Sequence, residues 1–557
     1  MVFRGGGVAR ECVGNVVFAE KPPLTKWYKH WIYALWLMFI GGFAVLHGFH
    51  LSADFPNHTR WYMDWAKYTD EGWYGNAAIR AHLFGNWYVP GDFNPAPAVP
   101  VLPFLEWLLF FFTGVSIQSV RGLAVFFFFC NLLLSYLLLR ARGPRWVALL
   151  ALTLIATSPF LYCFSRLAIL EPLLTTFTLA ALNMAIRLPR MRRPIGGSIV
   201  IGLLFTLMML TKTTAIFLLP ALGWAMLLPL WHNRQLVRRC ILAATCAFAA
   251  AFGLWISLVI HSGLFADYKY FFLVNKYTKP KEFDWPLVSL WWSFHGGLWV
   301  DRIVIPLAGL IVFGAMLAWR SALARKLLLD PVFGASVLAV AGTIFFMTCQ
   351  NHPQPRYFAV VAVFCCFVVA QGAGALTEQA IPIGEAASRR APQRVLGFVV
   401  IALATLAVTF NGLQTLNYFT HPEYTFVDAA QRLTHYIDAH PNGNRLLVSI
   451  SGDQITLVTH LPTLCDDFSM QDLGAKMARY QPGWYAAWNG IDPGTLADIH
   501  QHFSVEQAAS FHAYDDSERN ILVLFKLHPL PGGQEREQDM QNLQIPLPGD
   551  KIQVPVE

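Results

Sequence analysis

Two acidic residues stand side by side, Asp70 and Glu71, with Tyr68 just before them and Trp73 and Tyr74 just after. A carboxylate in such a setting can take the proton of an attacking hydroxyl, and amphipathic rings beside it can hold a sugar or a lipid head group. Lys212 and Arg356 each lie next to an apolar run. The Lys ammonium as a point charge and the Arg guanidinium as a planar fork can together neutralise a phosphate leaving group. Glu171, directly before Pro172, adds a second acidic group that can orient an acceptor, or can form an ion pair with Arg166 five residues earlier. A glycosidase needs two carboxyl groups flanking one bond, one of them kept protonated. Asp70 and Glu71 suit that poorly if their loop is extended, as expected here, because neighbouring side chains then point opposite ways.

The elements that must position these residues follow from composition. The chain has 557 residues, 55% hydrophobic and only 13% charged, about half the charged fraction of a soluble domain, which excludes a water-soluble globule. Apolar runs of bilayer length recur along its first three quarters, so the expected fold is a multi-pass α-helical membrane protein. The net charge of +7 falls in short clusters between apolar runs, around Arg10, Arg142, Arg192, Arg238, Arg325 and Arg390. That is the positive-inside pattern and not a nucleic-acid surface. The nine cysteines are scattered with no CxxC spacing, which indicates neither a disulfide framework nor a zinc site.

With the basic clusters in the cytoplasm, about eleven transmembrane helices are expected, near residues 30–48, 119–139, 146–163, 170–187, 196–211, 213–231, 241–261, 303–319, 332–349, 357–375 and 395–412. Residues 1–29 then form a cytoplasmic tail, 30–417 the membrane domain with a large first outer loop at 49–118, and 421–529 an outer soluble α/β domain. In that domain RLLVSI and NILVLFKL read as strands, and the stretches around Ala429 and Ala475 as helices. Residues 530–557, rich in Pro, Gln and charge, are expected to be disordered. VPVLPFLEWLLFFFT, residues 99–113, is too short to cross and is expected as an interfacial helix. This topology gathers YTDEGWYGNAA, FSRLAILEP, LTKTT and QNHPQPRYF on the outer side, where ionisable groups beside apolar helices mark a functional cavity. The loop from Leu264 to Asp301, with its Lys residues and WPLVSLWWSFHGGLW, is expected along the outer leaflet, gating donor entry or serving as an aromatic belt. Asp453, Asp466 and Asp467 show no ligand-spaced pattern, and PGWYAAWNG is either a carbohydrate platform or, more commonly, a piece of core.

The ordered set TDEGWYGNAA, NPAPAVPVLPFLEW, SRLAILEPLLTTF, LTKTTAIFLLP and QPRYF resembles the GT-C-fold integral-membrane glycosyltransferases that use polyprenyl-phosphate sugars: protein O-mannosyltransferases, the aminoarabinose transferase of lipid A and lipopolysaccharide-core transferases. The resemblance covers residues 30–412. It implies Asp70 as catalytic base, Glu71 and Glu171 as further acidic groups of the site, and Lys212 and Arg356 as contacts for the carrier phosphate; Arg166 is taken with them as a phosphate contact, and Tyr68, Trp73, Tyr74 and Tyr357 as substrate contacts. Family members often carry His or Lys just before the Pro-rich segment. Here Asn94 or Ala96 stands there, so either a phosphate ligand is missing or the donor is held differently.

What the resemblance implies is transfer of a monosaccharide from a polyprenyl-phosphate carrier to a hydroxyl on a glycolipid, polysaccharide or protein, by one inverting displacement and with no metal or other cofactor. It also implies a bacterial inner membrane with the site facing the periplasm. Three other readings compete. A flippase for a lipid-linked sugar would place its charges at the bilayer midplane on broken helices of repeated halves. A polyprenyl-diphosphate glycan ligase or polymerase would need more clustered arginine. A noncatalytic scaffold would need none of these groups.

Overall fold

The computed structural model describes residues 24–56, 64–274, 301–349, 354–378, 391–467, 470–514 and 519–530. Helices occupy every expected span, from Leu24–Leu46 through Ile117–Arg140, Leu170–Ala185, Pro194–Thr211 and Arg234–His261 to Phe358–Glu378 and Ala391–Thr420. Among the described residues seven segments are long and apolar enough to cross a membrane, with four shorter apolar helices beside them. Their buried faces form one continuous hydrophobic core. The most enclosed of these seven segments contains the helix Phe358–Glu378, a run of Val, Ala, Phe and Cys with almost no polar side chain in its first half, so no face of that half needs water. The gating segment expected after Leu264 is described only as far as Val274; the rest, the N-terminal tail before Leu24 and the C-terminal tail from 531 lie outside the described residues.

Residues 421–530 fold on a five-stranded sheet of order β2-β1-β3-β5-β4: β1 Leu447–Val448, β2 Thr463–Leu464, β3 Trp484–Trp488, β4 Phe503–His512 and β5 Ile521–Pro529. β1 pairs parallel with β2 and β3, while β5 runs antiparallel to β3 and to β4, with a bulge between Gln507 and Ala509. Both expected strands and both expected helices, Thr425–Ala439 and Leu473–Tyr480, are present. PGWYAAWNG is core: Trp484 is fully buried, and Trp488 packs edge-on to Tyr68.

The stretch carrying Asp70 and Glu71 departs from the extended loop expected of it. Asp70–Phe84 is an α-helix, and Val101–Thr113 is a second helix packed against it. Gly72 and Gly75 argue against a helix on propensity alone, but here close packing requires them. A Cβ on Gly72 would overlap the backbone of Asp453 and Gln454 in the sheet domain, and one on Gly75 would overlap the Glu106 carboxyl. The Asp70 helix is therefore clamped between the sheet domain and the helical bundle. Buried polar bonds complete the clamp. Arg80 bonds Asp92 at 2.6 Å and Asp453 at 2.8 Å, Asn76 donates to Asp453 at 3.3 Å, and Gly72 N–H donates to the Gln454 side chain at 2.8 Å. Asp453 is thus a buried brace.

Candidate active site

At the N-terminus of its helix, Asp70 has the backbone dipole in its favour, yet it is only 2% exposed. Thr69 donates to its Oδ1 at 3.0 Å and the Arg356 guanidinium lies 3.1 Å from its Oδ2. Burial pushes the Asp70 carboxyl above the ordinary carboxylate range. Arg356 opposes that shift, and the nearby carboxylates Asp64 and Glu171 add to it.

Arg356 comes from the short turn Pro355–Tyr357 that starts the Phe358–Glu378 helix. It is held from the other side by Asp64, which accepts both its side chain and its backbone N–H, the latter at 2.8 Å. Asp64 is a site residue that the sequence reading missed. Its loop has no periodicity or spacing that marks it out; only the fold brings it 292 positions back along the chain to Arg356. Beside this pair, the Lys212 ammonium is bonded to Glu171 and sits 4.4 Å from the centre of the Tyr357 ring, with Arg356 5.3 Å from the same ring. Glu171, Lys212 and Tyr357 line a small cavity with Thr214, Thr343 and Phe346. Tyr74, one turn further along the same face of the Asp70 helix, has its phenol raised well above the usual range by burial, with the charges of Asp70 and Glu171 adding to the shift and Arg356 opposing it.

The structure thus unites Asp70, Glu171, Lys212, Arg356, Tyr74 and Tyr357. Four other expected site residues lie elsewhere. Glu71, one position on and so about 100° around the helix, points away from Asp70. It takes a bidentate pair from Arg121 at 2.7 and 2.6 Å, and further bonds from Ala168 N–H and Gln454. Arg166 caps the chain entering the first loop, donating to the Phe49 and His50 carbonyls at 2.6 Å and lying over Tyr162; it pairs with neither Glu171 nor the Lys212 group. Tyr68 is fully buried among Trp488 and Tyr514 of the sheet domain. Trp73 donates to the Ile450 carbonyl at 3.1 Å and is likewise closed off. Asn94, one of the two positions where family members often carry His or Lys, donates to the Val89 and Asp92 carbonyls and to Asp267.

Arg121 also holds the Leu51 and Ala53 carbonyls at 2.8 and 2.6 Å, so the Glu71–Arg121 pair ties the first loop to the bundle. A charge at the start of an apolar helix was its one visible signal in the sequence. Removing one partner of such a pair leaves a buried charge uncompensated. Glu71→Ala is expected to cost about 3–5 kcal/mol of stability, measured by thermal unfolding in detergent, with Glu71→Ala/Arg121→Leu recovering part of the loss.

The site therefore places one carboxylate, set among two cations, two further carboxylates and two tyrosines, at one end of a helical bundle. Such a constellation can abstract a hydroxyl proton while cations share the charge of an anionic leaving group. Residues 95–257 match the family model described as dolichyl-phosphate-mannose-protein mannosyltransferase. No curated protein matches the chain. Among solved structures, ArnT from Cupriavidus metallidurans in the apo state is similar at 13% identity and TM-score 0.58, with 88% of this chain and 98% of that one covered. The same protein bound to undecaprenyl phosphate gives 12% identity and TM-score 0.54 over the same shares. The archaeal oligosaccharyltransferase AglB from Archaeoglobus fulgidus, in complex with an inhibitory peptide and a dolichol-phosphate, gives 12% and 0.51, covering 86% of this chain and 73% of that one. The chain is a multi-pass membrane protein with the GT-C fold, and the family match together with that fold points to a glycosyltransferase of the GT-C type.

Proposed function

We propose that the protein transfers a monosaccharide from a polyprenyl-phosphate carrier to a hydroxyl acceptor on the outer face of the membrane, with Asp70 as the base of a single inverting displacement. The observation that carries this reading is the Asp70–Arg356 pair set next to Lys212 and Tyr357. The acceptor oxygen attacks the anomeric carbon, its proton passes to the Asp70 carboxylate, and the carbon–oxygen bond to the carrier breaks. The polyprenyl phosphate leaves with its negative charge shared by Lys212 and Arg356. A phosphate is a good leaving group once its charge is shared, so one carboxylate suffices.

The resting site adds a refinement. Both cations are already engaged with carboxylates, Arg356 with Asp64 and Asp70, and Lys212 with Glu171. A donor phosphate has to compete with Asp70 for Arg356. As it does so, Asp70 loses its counter-charge and becomes a stronger base at the moment when one is needed. Tyr74 and Tyr357, the two tyrosines that border this cluster, are the sugar-facing surfaces in this reading. An apolar groove of about 350 Å³ runs along the same helix, between Ala77, Ala78 and Ala81 and the Pro97–Pro103 segment, with Trp255 bonded to the Pro97 carbonyl at 3.0 Å. Its lining suits a hydrocarbon chain. The similar ArnT structure bound to undecaprenyl phosphate supports a lipid-linked donor.

The test is reconstitution of the full chain in vesicles with a panel of polyprenyl-phosphate sugars, the product linkage being read by mass spectrometry and NMR. Transfer with inversion at the anomeric carbon is expected. Retention of configuration, or movement of the lipid-linked sugar across the bilayer without transfer, would overturn the reading. Because Asp70 must be ionised to act and its carboxyl lies above the ordinary range, the acid limb of kcat/KM is expected at a pH clearly above about 4. Activity falls as pH drops through that limb. A rate that stays flat down to pH 4 in the pH–rate profile would exclude Asp70 as the titrating base.

A further inference from the structure

We infer that the end of the helical bundle remote from Asp70 carries a binding site for the phosphodiester head group of an anionic phospholipid. A cleft of about 780 Å³ opens there between the Arg142–Pro144 turn, the short helix Ala322–Leu328 and the far part of Phe358–Glu378, within the range of about 300–1,000 Å³ typical of ligand pockets. Gln371 on its wall stands thirteen residues beyond Phe358, about 20 Å along the helix from the Arg356 turn, so the cleft is separate from the candidate active site.

Its charge is cationic. Among the described residues, Arg142, Arg325 and Lys326 line it against a single acid, Asp330. That acid is fully engaged: it accepts Val332 N–H at 2.9 Å and Phe333 N–H at 3.1 Å at the start of the next helix, Arg142 at 3.1 Å and Gln371 at 3.4 Å. Arg325 and Lys326 are exposed and have no ion-pair partner among the described residues. Their charge is left over for a ligand. The buried Gln371 carbonyl oxygen has no hydrogen-bond partner among the described residues either, and a hydroxyl of a glycerol head group is the kind of donor it lacks.

The apolar part of the lining tells which anion. Val147, Leu323, Leu327 and Ala375 line the same cleft as the cations, and the Ala322–Leu328 helix buries Ala324 and packs Leu327 and Leu328 against the bundle core while Arg325 and Lys326 are exposed. An amphipathic helix of that kind, joining two apolar helices, sits at head-group depth. Apolar walls beside cationic side chains fit a phosphodiester with the upper part of its acyl chains, and are wasted on free phosphate.

The test uses the full chain in nanodiscs of phosphatidylcholine with a minority of phosphatidylglycerol, followed by extraction and quantification of the lipids that remain bound. Wild-type protein is expected to retain phosphatidylglycerol well above the bulk ratio. Arg325→Gln/Lys326→Gln is expected to lower that retention on the order of tenfold, from the loss of two cations near the surface. Arg238→Gln/Arg239→Gln, from a basic cluster outside the cleft, is expected to leave it unchanged. Equal losses in both variants would mean general attraction to the membrane, undiminished retention in the first would remove the site, and displacement by inorganic phosphate at matching concentration would mean a soluble anion; each overturns the proposal. Thermal unfolding and gel filtration check that the double variant folds. The two single variants, at exposed positions, serve in its place if it does not.

Discussion

Asp70→Asn is expected to lower the rate of sugar transfer by roughly a hundred- to ten-thousandfold, the contribution of a positioned general base, while the protein folds and inserts as before. Amide for carboxylate keeps the size of the side chain and the Thr69 contact, and Arg356 keeps its second partner Asp64. No buried cation is left without a counter-charge, so the loss falls on chemistry and not on stability. The check is a single-turnover transfer assay beside a thermal unfolding curve. Normal transfer by the variant would remove Asp70 from the base role; a collapsed unfolding midpoint would mean that the pair is chiefly structural.

The second large effect is expected at Lys212. Among the described residues, Asp64, Asp70 and Glu171 pair with Lys212 and Arg356 in this cluster, three carboxylates to two cations, so there is no surplus of positive charge to lose among them. Lys212→Gln deepens that deficit where an anionic donor must bind. Transfer is expected to fall by about a hundred- to a thousandfold, the scale for one lost electrostatic contact to a developing anion, with a higher KM for the donor. Lys212→Arg restores the charge and is expected to recover part of the rate, incompletely because the larger planar guanidinium does not reproduce the compact ammonium's contact with Glu171 in this small cavity. Neutralising Glu171 alongside, as Lys212→Gln/Glu171→Gln, removes the stranded carboxylate. If that double variant regains stability but not transfer, the pair's structural and functional contributions are separated.

The helices of the membrane domain were legible because hydropathy and basic clusters act over twenty residues at a time and need no tertiary information. The same holds for Asp70, Glu171, Lys212 and Arg356 as a set, since ionisable side chains beside apolar helices are conspicuous. What stayed hidden depends on contacts between distant segments. The Asp70 helix contains two glycines that weaken it locally and that only the backbone of Asp453 and the carboxyl of Glu106 explain. That helix then decides the fate of Asp70 and Glu71: one turns to Arg356, its neighbour to Arg121. Tyr68 and Trp73 read as exposed aromatics of a loop until the sheet domain closes over them. Arg166 looked like a natural partner for Glu171 at five residues' distance, but Lys212, 41 positions away, takes that place.

Equilibrium binding of undecaprenyl phosphate to the wild-type chain, Asp70→Asn and Lys212→Gln, each in the same detergent and salt, tests the central claim most directly. If the carrier phosphate competes with Asp70 for Arg356, Asp70→Asn binds the carrier at least as tightly as wild type although it has lost turnover, and Lys212→Gln binds it more weakly. Loss of binding in Asp70→Asn, or unchanged binding in Lys212→Gln, would contradict a site in which these two cations grip the donor and this carboxylate does the chemistry.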